Sequence, residues 1–473
     1  MDTRDPIVKR IPRQYRAYVV IAAGVCLQFS YGGLVYSFGN ILPYLVSYLR
    51  ANVNPGQTNG SLIWLQSLMS GIPFAMLVGD LLLKSRKRKD LLKKDLDHEL
   101  ALQLDVQCIQ LEFFFHILLF KGPMPLLLFT LGFFAHSGQG IAYVNVLTQC
   151  QRWVSKENVG FVSGIITSGF ASGAFVLAPI ESKFVNPENK RVNPNTGFFD
   201  DKELLDRVPR MFILLSIIFA IIQMIALLFI AEPSVDEAAS LLALEQEEEN
   251  ANENNEESTD DEPEDLNLRR AASVNVVIPK KQLLSSSTLL MLSLTLLLNA
   301  IWVQTTSGLF KAYGQGFIHD DFFLATVNSF AAATNCISRI LWGVFADKTS
   351  YTFSMVFACS IGSVLMWSLP FIKWVASPGL YFLWISAMFS IIGSVYTLIP
   401  YAVHQAFGPP NFSVAYGCVQ ICLAFSGFIT AVNAQFILPI VGFDTLFLLV
   451  GIGTAISLAV TLFIRRTKYG RNL

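Results

Sequence analysis

The chain is expected to be an all-α membrane protein made of two six-helix bundles. Three observations predict this: long apolar segments, charges gathered into islands between them, and a polar acidic stretch that divides the segments in two. Of 473 residues, 53% are hydrophobic and 15% charged, against roughly 25% charged in an average soluble protein. The 38 Phe residues fit lipid-facing helices better than a single aqueous core.

A spanning helix needs about 20 mostly apolar residues. Segments near 17–48, 61–83, 123–148, 159–181, 209–231, 285–312, 323–346, 351–372, 376–402, 412–438 and 442–465 meet that requirement. The stretch 99–120 is a degenerate third span, because Glu99, Asp105, Glu112 and His116 interrupt it. A central acid costs on the order of 3 kcal/mol on insertion scales. Cationic clusters fall at the N-terminus, at Lys84–Lys94, at Arg152 and Lys156, at Lys280 and Lys281, at Lys348 and at Arg465–Arg471. All of them are cytosolic only if 99–120 crosses, so twelve spans with both termini cytosolic is the expected topology. An arrangement of eleven spans plus one peripheral helix is the alternative. No cleavage site follows the first apolar segment, which is expected to stay as a signal anchor.

The domain reading is an N-terminal half (1–231), a linker (232–284) and a C-terminal half (285–473). The linker is rich in Glu, Asp, Asn and Ser and turns basic at Arg269 and Arg270. Such a composition buries too little apolar area to offset chain entropy, so a disordered acidic cytosolic segment is expected. Ser273 follows the two arginines as a candidate phosphorylation site, and a plain solvated linker is the simpler reading. Gly140-Ile-Ala-Tyr143 in the fourth span has a counterpart in Gly393-Ser-Val-Tyr396 in the tenth. With the six-plus-six division this suggests a duplicated bundle, in which solute sites form between halves near the midplane.

Five stretches carry a family resemblance. They are RILWGVFADK (339–348), YGGLVYSFGNILPYL (31–45), GQGIAYVNVLTQCQRW (138–153), GIITSGFASGAF (164–175) and YTLIPYAVHQAFG (396–408). Together they resemble the major facilitator superfamily, in particular its oxalate/formate antiporter and monocarboxylate transporter branch. The resemblance covers most of the chain outside 80–122 and the linker. In the first-half signature loop, GDLLLKSRKRKD (79–90) keeps Gly79 and the basic run but has Leu83 and Lys84 where the family carries an acid.

The resemblance implies secondary transport of a small organic anion through a lipid bilayer by alternating access. Plasma membrane is expected over an organelle membrane, and an accessory membrane protein is a candidate partner. No cofactor and no nucleic acid is expected. A transporter-like scaffold or sensor that no longer moves solute is the competing reading, prompted by the degenerate third span. Enzyme chemistry has little support: the sequence holds no H-E-x-x-H, no nucleophile elbow and no phosphate-cradling glycine loop. Its seven Cys are scattered singly, without a metal-ligand pattern.

A charge inside the membrane is a functional hypothesis by default, and Arg339 is the strong case on the well-formed spans. A guanidinium can hold a carboxylate through two parallel hydrogen bonds. By resemblance, an arginine on the eighth helix with Gly four residues later is the substrate-anion residue, and Arg339 and Gly343 match. The bland reading pairs Arg339 with Asp347 at the cytosolic edge. Asn335 stands where the relatives carry a proton-coupling aspartate, and it cannot titrate. The eleventh span holds no Lys or Arg, so a monoanion fits better than a dianion. Further candidates for solute contact are Tyr36, Tyr143, Gln304 and Tyr396, then Gln28, Tyr31, His136, Gln139, Asn145, Trp302 and His404. Interhelical packing is the equally simple role for each of them. Gly160, Gly164, Ser168 and Ser172 put a small residue at every fourth position of the fifth span, a pattern that lets helices approach closely. By resemblance the partner is the eighth span. Gly343 and Asp347 are expected to serve helix contact and gating, and Pro400 and Pro439 to bend or end their helices.

Overall fold

A computed structural model describes residues 7–69, 159–231 and 278–471, with scattered positions at 128, 132, 146, 147, 149–154, 233 and 473. The degenerate third span, Tyr143, His136, Gln139, Asn145 and most of the linker, including Ser273, lie outside the described residues.

The first half contributes α1 (Arg13–Asn52), α2 (Asn59–Met69), α3 (Val159–Val185) and α4 (Lys202–Leu227). The second contributes the short α5 (Lys280–Leu284), then α6 (Ser287–Gly314), α7 (Asp321–Lys348), α8 (Tyr351–Val375) and α9 (Pro378–Phe407). It continues with α10 (Pro409–Gln420), α11 (Cys422–Val432), a π-turn (Asn433–Ile437) and α12 (Leu438–Ile464). Among the described residues seven helical stretches are long and apolar enough to cross a membrane, the last running from Val414 to Ile464 through a break at Gly442. Trp374 (80% exposed) and Ile440 (81% exposed) stand outward, which suits acyl chains and not water.

Local chemistry sets the helix limits. Asp201, Asp320, Ser350 and Ser377 each accept a hydrogen bond from the backbone N–H three residues on, at 3.0, 3.0, 3.2 and 3.4 Å. Each side chain thereby satisfies one of the orphan donors at a helix start. Pro400 lies inside α9, and Pro439 follows the π-turn three residues before the break at Gly442. Outside the spans, Asp201 is held below the usual carboxylate range by the Lys190 ammonium, 2.8 Å away.

One end of the bundle, called proximal here, gathers the starts of α6 and α8 with the chain's C-terminus. Thr288 donates to Thr467 at 2.7 Å and the Thr352 N–H to the Leu473 carbonyl at 2.8 Å. The opposite, distal end holds the end of α1, the end of α3 and the start of α7.

Within the first half, α1 and α3 touch backbone to backbone. A Cβ on Gly173 would lie 2.4 Å from the Gly33 Cα, and one on Gly32 would lie 1.9 Å from the Phe170 carbonyl oxygen. The contact with α1 therefore runs through Gly169 and Gly173, which lie beside the stripe of Gly160, Gly164, Ser168 and Ser172, while a Cβ on Gly164 would meet nothing within 4 Å. Spacing alone shows that a face is smooth, not which neighbour it serves. The stripe itself reaches α7, the eighth span, where the Ser168 carbonyl faces Cys336 Sγ at 3.9 Å, and the Phe175–Phe330 ring pair joins the same two helices. Gly173→Leu is expected to force α1 and α3 apart at a cost of about 1–3 kcal/mol or more. The expected result is a lower yield of monodisperse protein in mild detergent than Gly164→Ala gives.

The halves meet at the distal end where α1 and α2 pack against α6, α11 and the π-turn. A Cβ on Gly39 of α1 would lie 2.1 Å from the Ser307 carbonyl oxygen of α6, and one on Gly60 of α2 would lie 1.9 Å from the Ala434 carbonyl oxygen of the π-turn. Gln66 donates to Ser307 Oγ at 3.0 Å and Ser67 to the Gly427 carbonyl at 2.6 Å, while Trp64 Nε1 donates to Gln435 Oε1. Asn59 starts α2 beside this seam.

Candidate functional site

Arg339 projects from α7 across the seam between the halves. Its Nη2 donates to the Tyr36 hydroxyl of α1 at 2.6 Å, and its Nε donates to Asn335 Oδ1 at 3.0 Å. The guanidinium carbon lies 5.2 Å from the Tyr396 ring centroid on α9 and 6.0 Å from that of Tyr36, distances at which a ring face attracts a cation. Phe170 of α3 meets Tyr36 edge to face at 5.9 Å. Four helices from both halves thus orient one cationic fork.

Asp347 is exposed near the end of α7, about 12 Å of helix rise from Arg339 at 1.5 Å per residue. Asn335 is fully buried, and its Nδ2 donates to the Phe389 carbonyl at 3.1 Å while its Oδ1 accepts from Arg339. Its amide is therefore committed to protein groups and positions the arginine. Gln304 turns toward α11, donating to Ser426 Oγ at 3.0 Å, and its Oε1 has no partner among the described residues. Trp302 donates to Asn299 at 3.1 Å within the second half, and His404 is exposed with its ring against Phe412. A Cβ on Gly343 would make an ordinary 3.7 Å contact with Thr397. The tight α7–α9 crossing is at Gly393, whose Cβ would lie 2.1 Å from Ser338 Oγ.

A second polar centre was not expected. Lys311 of α6 and Asp321 of α7 form an ion pair at 2.8 Å, with side-chain exposures of 0% and 4%. Lys311 Nζ also donates to Asn40 Oδ1 at 2.8 Å and to the Tyr44 hydroxyl at 3.1 Å, both on α1. Tyr44 donates in turn to Asp321 Oδ2. Glu181 of α3, fully buried, accepts from Ser37 Oγ at 2.7 Å and from Asn40 Nδ2 at 2.9 Å. Charge-based reading had singled out Arg339 alone. It misses this group because Glu181 and Lys311 fall in the last two residues of 159–181 and 285–312 and Asp321 falls just before 323–346, where a charge reads as a span end, whereas α3 and α6 run on past Glu181 and Lys311 and α7 begins at Asp321.

The loop after α3 extends the same contact. Asn186 Nδ2 donates to Asp321 Oδ2 at 3.0 Å, and Asn189 Oδ1 accepts from the Asp321 and Phe322 N–H groups at 2.9 and 3.2 Å. Asn189 holds a left-handed φ of 54°, which asparagine tolerates better than most residues. Asn189→Ala removes this cap across the halves and is expected to cost about 1–2 kcal/mol, readable as a lowered Tm of the purified protein.

Comparison with known proteins agrees with this architecture. A family model described as Major Facilitator Superfamily matches residues 109–431. The apicoplast pyruvate carrier 1 of Toxoplasma gondii is 28% identical over 357 residues, 68% of this chain and 61% of that protein. The match thus spans less than two thirds of that relative's length. Among solved structures, a D-xylose-proton symporter superposes with a TM-score of 0.64 at 10% identity, covering 95% of this chain and 96% of that one. The xylose transporter XylE from E. coli, in a partially occluded inward-open conformation, gives 0.60 at 12% identity over 94% and 98%. At such identities these two speak for the fold alone. With its long apolar helices, its two halves meeting along a seam and a family model covering most of its length, the chain belongs to the major facilitator superfamily of multi-pass membrane transporters.

Proposed function

We propose that the protein carries a small monocarboxylate-like anion across the membrane by alternating access, with Arg339 as the anion-binding group. The observation that carries the reading is the placement of this guanidinium at the seam, cradled by Tyr36, Asn335 and Tyr396 from three helices of both halves. A planar fork with five donors can exchange the Tyr36 hydroxyl for a carboxylate without moving its own stem. The similarity to a protein named as a pyruvate carrier supports a substrate of that size and charge.

The distal seam is closed, so an anion at Arg339 would exchange with the proximal side in this state. With both termini cytosolic, that side is the cytosol. The reading is tested by uptake of radiolabelled pyruvate and related short monocarboxylates into proteoliposomes. Saturable uptake competed by other monocarboxylates is expected. Absence of uptake for every such anion, by protein shown to be inserted and monodisperse, overturns it.

A further inference from the structure

We propose that Glu181 is a proton-binding site whose protonation locks the distal end closed, so that opening of that end releases a proton. The inference rests on the alternating-access part of the transport reading and not on the identity of the solute.

The argument begins with charge balance. The distal cluster contains two carboxyls, Glu181 and Asp321, and one ammonium, Lys311. These three residues are respectively 0%, 5% and 0% exposed. Lys311 is committed to Asp321 at 2.8 Å and to Asn40 and Tyr44 of α1. Its interaction with Asn40 fixes that amide with the oxygen toward the ammonium, which leaves the Nδ2 to face Glu181. Glu181 is consequently held by neutral groups, Ser37 and Asn40. An unbalanced carboxylate in a dry membrane interior is costly, whereas a carboxylic acid is not. A protonated Glu181 donates its hydrogen to Ser37 Oγ, since a hydroxyl both gives and accepts. The closed cluster is then neutral overall: one ion pair, one acid, and Ser37, Asn40, Tyr44, Ser182 and Asn186 completing the hydrogen bonds.

Separation of the halves breaks this arrangement in a defined way. Asn40, Tyr44 and Glu181 belong to the first half, and Lys311 and Asp321 to the second. Opening withdraws the ion pair from Asn40 and Tyr44, lets water reach Glu181, and favours its carboxylate. The proton passes from the Glu181 carboxyl to that water, with no other bond made or broken. Acid therefore favours the closed distal end and base the open one. Facing Glu181 from the packed helices are Ser37, Asn40 and Tyr44 on α1, Lys311 on α6 and Asp321 on α7. Lys311 and Asp321 neutralise each other, and Glu181 is the group left to titrate. Asn335 lacks a titratable proton, so this site supplies one that the Arg339 cradle does not.

The test needs no substrate. Spin labels at Asn195→Cys in the α3–α4 loop and Gly379→Cys at the start of α9, both exposed and on opposite halves, report the distal opening by pulsed EPR. The full chain would be reconstituted with its native cysteines replaced. Measurements at about pH 5.5 and about pH 8.5 bracket a buried carboxyl. The short distance should dominate at the lower pH, and its ratio to the long distance should fall about threefold or more at the higher one. Glu181→Gln, which mimics the protonated acid in shape, should hold the short distance at both pH values. Glu181→Ala checks that the labels can report an open end. A pH response that persists in Glu181→Gln overturns the proposal and points to another group such as the exposed His319. Absence of any response in the parent protein overturns it equally. Failure of monocarboxylate uptake would leave these distances readable, so the two readings fail separately.

Discussion

Arg339→Ala should reduce monocarboxylate uptake on the order of 100-fold, because truncating one partner of a buried, hydrogen-bonded charge pair costs about 2–5 kcal/mol. Arg339→Lys keeps the charge but loses the planar fork, and uptake about tenfold below the parent is expected. Tyr36→Phe removes only the hydroxyl that Arg339 donates to in this state. A smaller change is expected there, with the apparent affinity altered more than the maximal rate. Initial rates in proteoliposomes at several substrate concentrations separate these outcomes. Full activity in Arg339→Ala would place the anion elsewhere.

The second large effect lies at the distal cluster. Lys311→Met strands Asp321 without its ammonium at 2.8 Å, and breaking a buried pair from one side typically costs about 3–5 kcal/mol. The Tm of the detergent-purified protein should fall steeply. Adding Asp321→Asn should recover much of the loss, since Tyr44, Asn186 and the backbone can still bond an amide at that position. A double variant no more stable than Lys311→Met would show that the pair is not the source of the effect.

The membrane helices were legible in the sequence because hydropathy is a local property: about 20 apolar residues announce a span wherever they occur. Arg339 was identifiable as a charge inside a span, and Tyr36 and Tyr396 as polar groups on the first and tenth spans. Their mutual contact was not, since it joins positions 303 and 57 residues apart through tertiary packing. The distal cluster was hidden for the opposite reason. Charges terminate a hydropathy window, so Glu181, Lys311 and Asp321 read as span ends, although each is neutralised or hydrogen-bonded by a distant partner. The small residues at every fourth position of α3 include Gly164, which faces open space, whereas Gly173, outside that series, meets Gly33. Only the relative rotation of two helices decides between such neighbours, and that rotation is not written in either helix alone.

The long rods α1 and α7 join the two centres directly. Tyr36, Asn40 and Tyr44 ride on one of them, and Asp321 and Arg339 on the other, separated by about 27 Å of rise at 1.5 Å per residue. Stiff levers of this kind need no chain of intermediate residues to carry a message. Tilting one rod against the other to loosen a grip at the far tip must reshape the clasp nearer the termini in the same stroke.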